Sequence, residues 1–230
     1  MTARSFIALF LALFLFCSLP ASAEKRAAKE HPDASQTLNP NEKETAFDFS
    51  LVDQDGKVVS LSDYKGKVLL IVNLASQSIY SSQIAALNDL QKTYGPKGLQ
   101  VIGIPSSDFG GEELKDAVSM RKYYTDTVHA DFPVFASAKL TGVNAIPLYQ
   151  FLCDPKLSVP GGDISWNYTK FLIDRSGTPL ARYEVDVDPA DVDFHVAIES
   201  ALSGKFKKPS ASGEKGRPAG NEESSDDDDD

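Results

Sequence analysis

Two serines, Ser76 and Ser78, lie where a continuous apolar run gives way to a predicted helix. The amino end of a helix stabilises an anion, so a fold can activate a nucleophile at this point. A hydroxyl gains the same field as a thiol, but it is a far weaker acid and needs a partner base. A serine here therefore either works with such a base or only caps the helix.

The histidines do not supply a recognisable base for Ser78. His31 falls in a polar stretch near the N-terminus, His129 in a predicted loop and His195 in the last predicted helix. The segment around Ser78 reads NLASQSIYSSQ and lacks the G-x-S-x-G motif of many serine hydrolases. We therefore favour a helix cap over a hydrolytic nucleophile.

The first 23 residues have the features of a secretory signal peptide. Arg4 precedes an apolar run at 6–16, and Ala21-Ser22-Ala23 fits a cleavage site. The run is shorter than a comfortable bilayer span, which disfavours a retained anchor. We expect cleavage after Ala23 and transport into the secretory pathway, with secretion or an organelle lumen as the destination.

Cleavage leaves one cysteine. Cys17 departs with the signal peptide and Cys153 remains, so an internal disulfide, a CxxC motif and a cysteine-rich zinc site are all excluded. A lone thiol in an oxidising compartment is usually buried, capped or paired between chains. We favour a small buried apolar side chain for Cys153.

Composition divides the rest of the chain into a linker, one domain and a tail. The hydrophobic fraction of 42% suffices for a packed core, and a net charge of -10 disfavours a nucleic-acid partner. We interpret 24–45 as a polar linker, 46–203 as the domain and 204–230 as a disordered acidic tail. Seven of the last nine residues are acidic, which indicates a solvated tail or, alternatively, a weak calcium or basic-partner site.

Periodicity predicts seven elements inside the domain. They are a hairpin, a strand, a helix, a strand, a helix, a hairpin and a helix, at 49–61, 68–75, 81–95, 99–106, 112–128, 168–185 and 188–202. The strand–helix–strand unit implies parallel pairing, and the order suits an α/β sheet with helices on its faces. The site is then expected at the carboxyl end of strand 68–75.

Several residues are expected to set the ends of these helices. Ser81 or Ser82 can begin the first helix and Gly95 can end it. Asp188 is expected to cap the final helix, with Pro189 in its first turn.

Four stretches, in order, resemble the glutathione peroxidase family over almost the whole domain. They are AFDFSLVDQDGKVVSLSDYKGKVLLIVNLAS, LNDLQKTYGPKGLQVIGIPSSDFGGEE, FPVFASAKLTGVNAIPLYQFL and WNYTKFLIDRSGTPLARY. The resemblance implies a thioredoxin-like fold with a central mixed sheet flanked by helices. It also implies reduction of hydroperoxides by a thiol donor, glutathione or thioredoxin, without a metal or other cofactor.

The resemblance assigns four site positions, two of which depart from the family. Ser78 stands where the family carries its catalytic cysteine or selenocysteine, and Asp108 stands where it carries a glutamine. The family's tryptophan and asparagine are retained as Trp166 and Asn167, and Ile79 replaces a usual glycine. The short connection between PLYQFL and WNYTKF is similar to that of monomeric members, so a monomer is expected.

These departures bear on chemistry. A peroxide-reducing thiolate becomes a sulfenic acid, whereas serine has no such oxidation ladder. Asp108 would place a carboxylate near the site and raise the pKa of a thiol there. Cys153 is not at the family's reactive position. We expect catalysis to be lost or strongly impaired.

Two functions remain open from the sequence. One is an active peroxidase of the secretory pathway, with a hydroperoxide and a thiol donor as partners. The other, which we favour, is a non-catalytic member that binds a protein partner through the retained site, because fold alone does not fix function.

Overall fold

The computed structural model describes residues 43–156, 159 and 161–207. The predicted signal peptide at 1–23 lies outside the described residues, as do the linker up to residue 42 and the tail from residue 208. These three assignments therefore stay predictions.

The centre of the domain is a four-stranded mixed sheet in the order β4-β3-β5-β6. Strand β3 (Val68–Leu74) runs parallel to β4 (Leu99–Pro105), and both are buried along their whole length. On its other side β3 pairs antiparallel with β5 (Lys170–Ile173), which pairs antiparallel with β6 (Pro179–Tyr183). The buried strands, their parallel pairing and the hairpin of β5 and β6 are confirmed.

A separate two-stranded hairpin precedes the sheet. Strand β1 (Ser50–Val52) pairs antiparallel with β2 (Val58–Ser60). The turn between them is closed by Gly56, whose φ of 80° favours glycine, and by the carboxylate of Asp53. The predicted Asp-Gly hairpin is thus confirmed.

Helices cover both faces of the sheet and give three layers. Helix α1 (Gln83–Tyr94), helix α2 (Ala117–Lys122) and helix α4 (Val192–Leu202) pack into the core on one face. Helix α3 (Pro147–Leu152) packs with the β1–β2 hairpin on the other. Side chains of β3 alternate between the two cores, because successive residues of a strand point to opposite faces.

Helix α1 lies between the predicted end residues Ser82 and Gly95, but neither end has the expected capping geometry. Ser82 occupies the N-cap position, but it has helical backbone angles and its side chain makes no capping hydrogen bond. Gly95 also keeps helical angles, and a 3-10 turn (Gly95–Lys97) follows it. The chain leaves the helix at Gly98, whose φ of 104° is the left-handed conformation that ends helices.

The later helices begin elsewhere than expected. The helix predicted from residue 112 begins after Asp116, which caps α2 by accepting from the Ser119 amide at 2.8 Å, and a wider π turn (Tyr123–Thr127) completes it. Helix α4 begins after Asp191, so the prediction of an Asp188 cap was wrong. Helix α3 was not predicted. Within the described residues no helix is long and apolar enough to cross a membrane.

Candidate functional site

Ser78 lies in the turn between β3 and α1, at the expected edge of the sheet. Its amide donates to the Ala75 carbonyl at 3.3 Å, and its own carbonyl accepts from the Ser81 amide at 3.0 Å. The side chain is buried, with Ser78 only 4% exposed, and Oγ accepts from the Tyr80 amide at 3.4 Å. Ser78 thus stabilises this turn and does not cap α1, which begins five residues later at Gln83.

The described histidines are engaged elsewhere. Nδ1 of His129 lies 2.9 Å from the Thr125 carbonyl oxygen, and Nδ1 of His195 lies 3.2 Å from the Tyr94 hydroxyl. Neither makes a hydrogen bond to Ser78. The described part of the chain therefore offers no base in contact with this hydroxyl.

The neighbouring Ser76 is bound to a buried carboxylate. Its hydroxyl donates to Oε1 of Glu113 at 2.5 Å, and the Tyr124 hydroxyl donates to Oε2 at 2.6 Å. The Leu114 amide also donates to Oε1 at 2.8 Å, and the Ser76 amide donates to Oε2 at 3.3 Å. The arrangement ties the turn after β3 to the segment before α2, and sequence reasoning did not single out Glu113.

Trp166 and Asn167 lie together where the chain approaches β5. Asn167 is fully buried, and its Nδ2 donates to the Phe109 carbonyl at 3.2 Å and to Oε2 of Glu112 at 2.9 Å. Two acceptors on Nδ2 fix the orientation of the amide. Oδ1 then has no hydrogen-bond partner within the described residues. Trp166 is 37% exposed, and its ring lies 6.4 Å from that of Phe109, measured between centroids.

The backbone next to Asn167 is held in an uncommon conformation. Tyr168 has a φ of 61°, which is rare for a bulky residue. Its amide donates to the Asn73 carbonyl at 2.8 Å and its hydroxyl to the Ala75 carbonyl at 3.0 Å. Asn73 in turn donates its side-chain amide to the Trp166 carbonyl at 3.1 Å. These bonds join the end of β3 to residues 166–168 and set the direction of both site side chains.

Glu112 connects the serine turn to the asparagine. Its carbonyl accepts from the Gln77 amide at 2.8 Å, while its carboxylate accepts from Asn167. The structure thus brings the turn that contains Ser78, together with Trp166 and Asn167, to the segment 110–112. Glu112 was missed from the sequence, where the acidic pair that follows Gly110-Gly111 was its only signal. Ile79, beside the buried serine, is 83% exposed.

Asp108 is directed into the next loop. Its carboxylate accepts from Lys139 Nζ at 2.8 Å, from the Leu140 amide at 2.7 Å and from the Thr141 amide at 3.1 Å. Burial acts to raise the pKa of this carboxyl, but these hydrogen bonds outweigh it and hold the pKa below its usual value. Because Lys139 and two amides compensate the charge, the expectation that Asp108 opposes a thiolate at position 78 needs correction.

Cys153 lies apart from these residues, at the end of α3. Its side chain is half-buried and packs against the core on the α3 face. Burial raises the pKa of the thiol. Cys153 lines a cavity of its own, together with Tyr149. No group of three or more histidine, cysteine or acidic side chains suited to a metal ion occurs within the described residues.

Known proteins of similar sequence and structure share this fold. The glutathione peroxidase family model matches residues 46–153. A probable phospholipid hydroperoxide glutathione peroxidase of Solanum lycopersicum is 38% identical over 161 residues, which cover 70% of this chain and 94% of the relative.

Solved structures of related proteins are also similar to this chain. The crystal structure of Trgpx in apo form matches with a TM-score of 0.56 and 30% identity, over 70% of this chain and 97% of that one. A thioredoxin-family thiol:disulfide interchange protein of Chlorobium tepidum matches with a TM-score of 0.50 and 25% identity, over 67% and 92%. The thioredoxin-like α/β fold with its mixed sheet is confirmed.

Proposed function

The chain belongs to the glutathione peroxidase family, and we propose that it is a member of the secretory pathway that has lost peroxide reduction and binds a partner through the retained site. The family relationship gives the ancestral chemistry, which is thiol-dependent reduction of hydroperoxides. The residues of this chain argue against that chemistry at its usual position.

The observation that carries the proposal is the environment of Ser78. Peroxide reduction needs a group that attacks the O–O bond and accepts oxygen, and a serine hydroxyl cannot be oxidised in this way. The hydroxyl is also buried, its one described hydrogen bond is to the Tyr80 amide, and no described base contacts it. A different reaction with Ser78 as nucleophile is therefore unsupported as well.

The surface around Ser78 is suited to binding. Ile79, next to Ser78, and Trp166, which lies close to Gly110, are both exposed apolar side chains. Exposed apolar side chains of this size fit a protein or peptide partner that covers them with apolar side chains of its own.

An active peroxidase is the second candidate. Trp166 and Asn167 lie together, and hydrogen bonds to the Trp166 carbonyl and from the Asn167 side chain hold them there. Such an enzyme would need a nucleophile other than Ser78, and Cys153 is the only cysteine once residues 1–23 are removed. Glutathione or thioredoxin would then be the donor.

A peroxide-consumption assay on residues 24–230 separates the two candidates. With glutathione and with thioredoxin as donor, we expect no turnover above background. Cys153→Ser is the matched variant, because it removes the remaining thiol and nearly keeps the side-chain volume. Turnover that survives in Cys153→Ser would overturn the proposal, and turnover lost in that variant would make Cys153 the nucleophile.

Two further parts of the proposal concern the state of the protein in cells. The signal-like N-terminus supports entry into the secretory pathway, and the short connection after α3 supports a monomer. Expression of the full chain in a eukaryotic host should give a secreted or lumenal product that begins at Glu24. Light scattering on that product should give the mass of one chain.

A further inference from the structure

The end of the sheet opposite to Ser78 carries an excess of positive charge. Strands β3 and β4 begin there and β5 ends there, and the last turn of α4 lies against them. Five basic side chains occupy the segments next to these ends, and we call them the basic end: Lys65, Lys67, Lys97, Arg175 and Lys205. The excess is local, because the whole chain has a net charge of -10.

Arg175 joins the segments of the basic end. Its guanidinium donates to the carbonyl oxygens of Gly66 at 2.6 Å, Lys97 at 3.2 Å and Leu202 at 3.3 Å. These carbonyls belong to the turn before β3, the turn before β4 and the last turn of α4. The hydrogen bonds therefore bring three lysine-bearing segments together at one guanidinium.

The domain does not neutralise these cations by itself. Four of the five are exposed, and none forms an ion pair within residues 43–156, 159 and 161–207. Three carboxylates lie nearby, those of Asp63, Asp174 and Glu199, and two of them are engaged in the fold. Asp174 accepts two hydrogen bonds from Ser176, and the Tyr94 hydroxyl donates to Glu199. An anionic partner is therefore favoured at this surface.

The last nine residues of the chain have the complementary charge. Residues 222–230 contain seven acidic and no basic side chains. They follow a connection of 14 residues, 208–221, half of which are glycine, proline or serine. A chain of this length and composition spans about 20 Å on average. Because the connection starts three residues after Lys205, the acidic segment can reach the basic end of its own chain.

We propose that residues 222–230 bind the basic end of the same chain. Each exposed ion pair contributes little alone, but a tethered segment meets its surface at an effective concentration in about the millimolar range. Several weak contacts made together then hold the segment in place. While it is bound, it excludes other anionic partners from this surface. The contact lies at the opposite end of β3 from Ser78 and is independent of the proposed function.

Zero-length cross-linking tests this contact on residues 24–230. A carbodiimide joins a carboxylate to a lysine amine that it touches, and mass spectrometry identifies the joined residues. We expect carboxylates of 222–230 to be joined to Lys65, Lys97 or Lys205 within single chains. A salt concentration of about 1 M, where charges are screened beyond about 3 Å, should lower the yield severalfold.

A labelled peptide with the sequence of residues 221–230 measures the same contact from outside. The five aspartates at 226–230 are first replaced by asparagine in the chain, so that its own acidic segment competes less. Fluorescence anisotropy should then show severalfold tighter binding of the peptide than to the unmodified chain. Adding Lys65→Gln, Lys97→Gln and Lys205→Gln to the asparagine variant should weaken this binding severalfold.

A matched set of substitutions controls for net charge. Lys57→Gln, Lys115→Gln and Lys122→Gln also remove three exposed lysines, but these lie in the β1–β2 turn and around α2. In the same asparagine variant, this set should leave binding of the peptide almost unchanged.

Three results would overturn the proposal. The first is equal weakening by the two sets of substitutions, which would mean that only net charge attracts the peptide. The second is cross-linking only between different copies, which a mixture of unlabelled and nitrogen-15-labelled chains reveals. The third is that residues 222–230 are cross-linked to no lysine of the basic end, or only to Lys208 and Lys215 of the connection.

Discussion

The carboxylate of Glu113 accepts hydrogen bonds from the hydroxyls of Ser76 and Tyr124, at 2.5 and 2.6 Å. Burial and the charge of Glu113 raise the pKa of Tyr124, so the tyrosine remains a donor across the accessible pH range. Glu113 itself is 1% exposed. A buried carboxylate that accepts several donors binds three chain segments together next to the proposed site.

Glu113→Gln should therefore destabilise the domain. The amide nitrogen of glutamine would face a hydroxyl that needs an acceptor, and such a mismatch in a buried site costs about 2–3 kcal/mol. The measurement is denaturant unfolding at neutral pH. Glu112→Gln is the control, since the neighbouring side chain keeps its acceptor for Asn167 and should lose less than about 1 kcal/mol. Equal losses in the two variants would contradict this account.

Ser78→Cys should restore weak peroxidase activity at most, and Asp108→Gln should add little to it. The Asp108 carboxylate is compensated by Lys139 and two amides, whereas no described lysine or arginine forms an ion pair with Glu112. In a Cys153→Ser background, adding Glu112→Gln should lower the pKa of the new thiol more than adding Asp108→Gln does. The pH dependence of alkylation measures this pKa. A larger effect from Asp108→Gln would restore the expectation drawn from the sequence.

Asn167 should remain without a glycan, although Asn167-Tyr168-Thr169 is the only N-x-S/T sequon in the chain. A glycan is attached to Nδ2, and this atom is buried and donates to Phe109 and Glu112. The check is intact mass of protein from a eukaryotic secretion host, before and after glycosidase. Glu223→Thr creates a sequon at Asn221 and serves as a positive control. If glycosidase lowers the mass of most molecules of the chain without Glu223→Thr, the prediction is wrong and the case for a binding site is weaker.

Lys170 should make stability depend on alkaline pH. The residue is fully buried in β5, and its ammonium donates to the carbonyl oxygens of Tyr168 at 2.8 Å and Glu184 at 3.4 Å. Burial lowers its pKa from 10.5 to about 8, although Asp188, Asp186 and Glu184 act in the opposite direction. Between these two pKa values the unfolded chain holds more protons than the folded chain.

The contribution of Lys170 to the free energy of unfolding should therefore rise from pH 8 towards pH 10.5, by up to about 3 kcal/mol. Below that window both states are protonated and the contribution of Lys170 is constant. Lys170→Met should lack the rise, because methionine does not titrate. Denaturant unfolding at about pH 7 and about pH 10 compares the two proteins, and parallel pH dependence in both would count against the buried-ammonium account.

The strands could be predicted from the sequence because their signals are local. Residues 68–74 and 99–105 are continuous apolar runs joined by one helix, which suffices for a parallel pair. Helix α3 was missed since PLYQFL is only six residues long, and a short apolar run does not distinguish a helix from a strand.

The site was less accessible to sequence reasoning because its decisive contacts join distant residues. The position of Asp108 could be assigned, but its partner Lys139 lies 31 residues away, so the compensation of its charge was invisible. Glu112 likewise meets Asn167 across 55 residues. Periodicity locates elements, whereas the direction of a polar side chain depends on which donors the completed fold brings near it.

The amide of Asn167 closes the loop that contains Phe109 and Glu112, whether or not a reactive group stands at position 78. Replacing this asparagine would leave a buried carbonyl and a carboxylate without their donor. The free energy of unfolding would therefore fall. The requirement for a stable fold is then enough to explain why this residue is present, whether or not the chain reduces peroxide. The presence of Asn167 is therefore explained by the fold of this chain alone. Whether the chain is an enzyme has to be judged from the side chain at position 78.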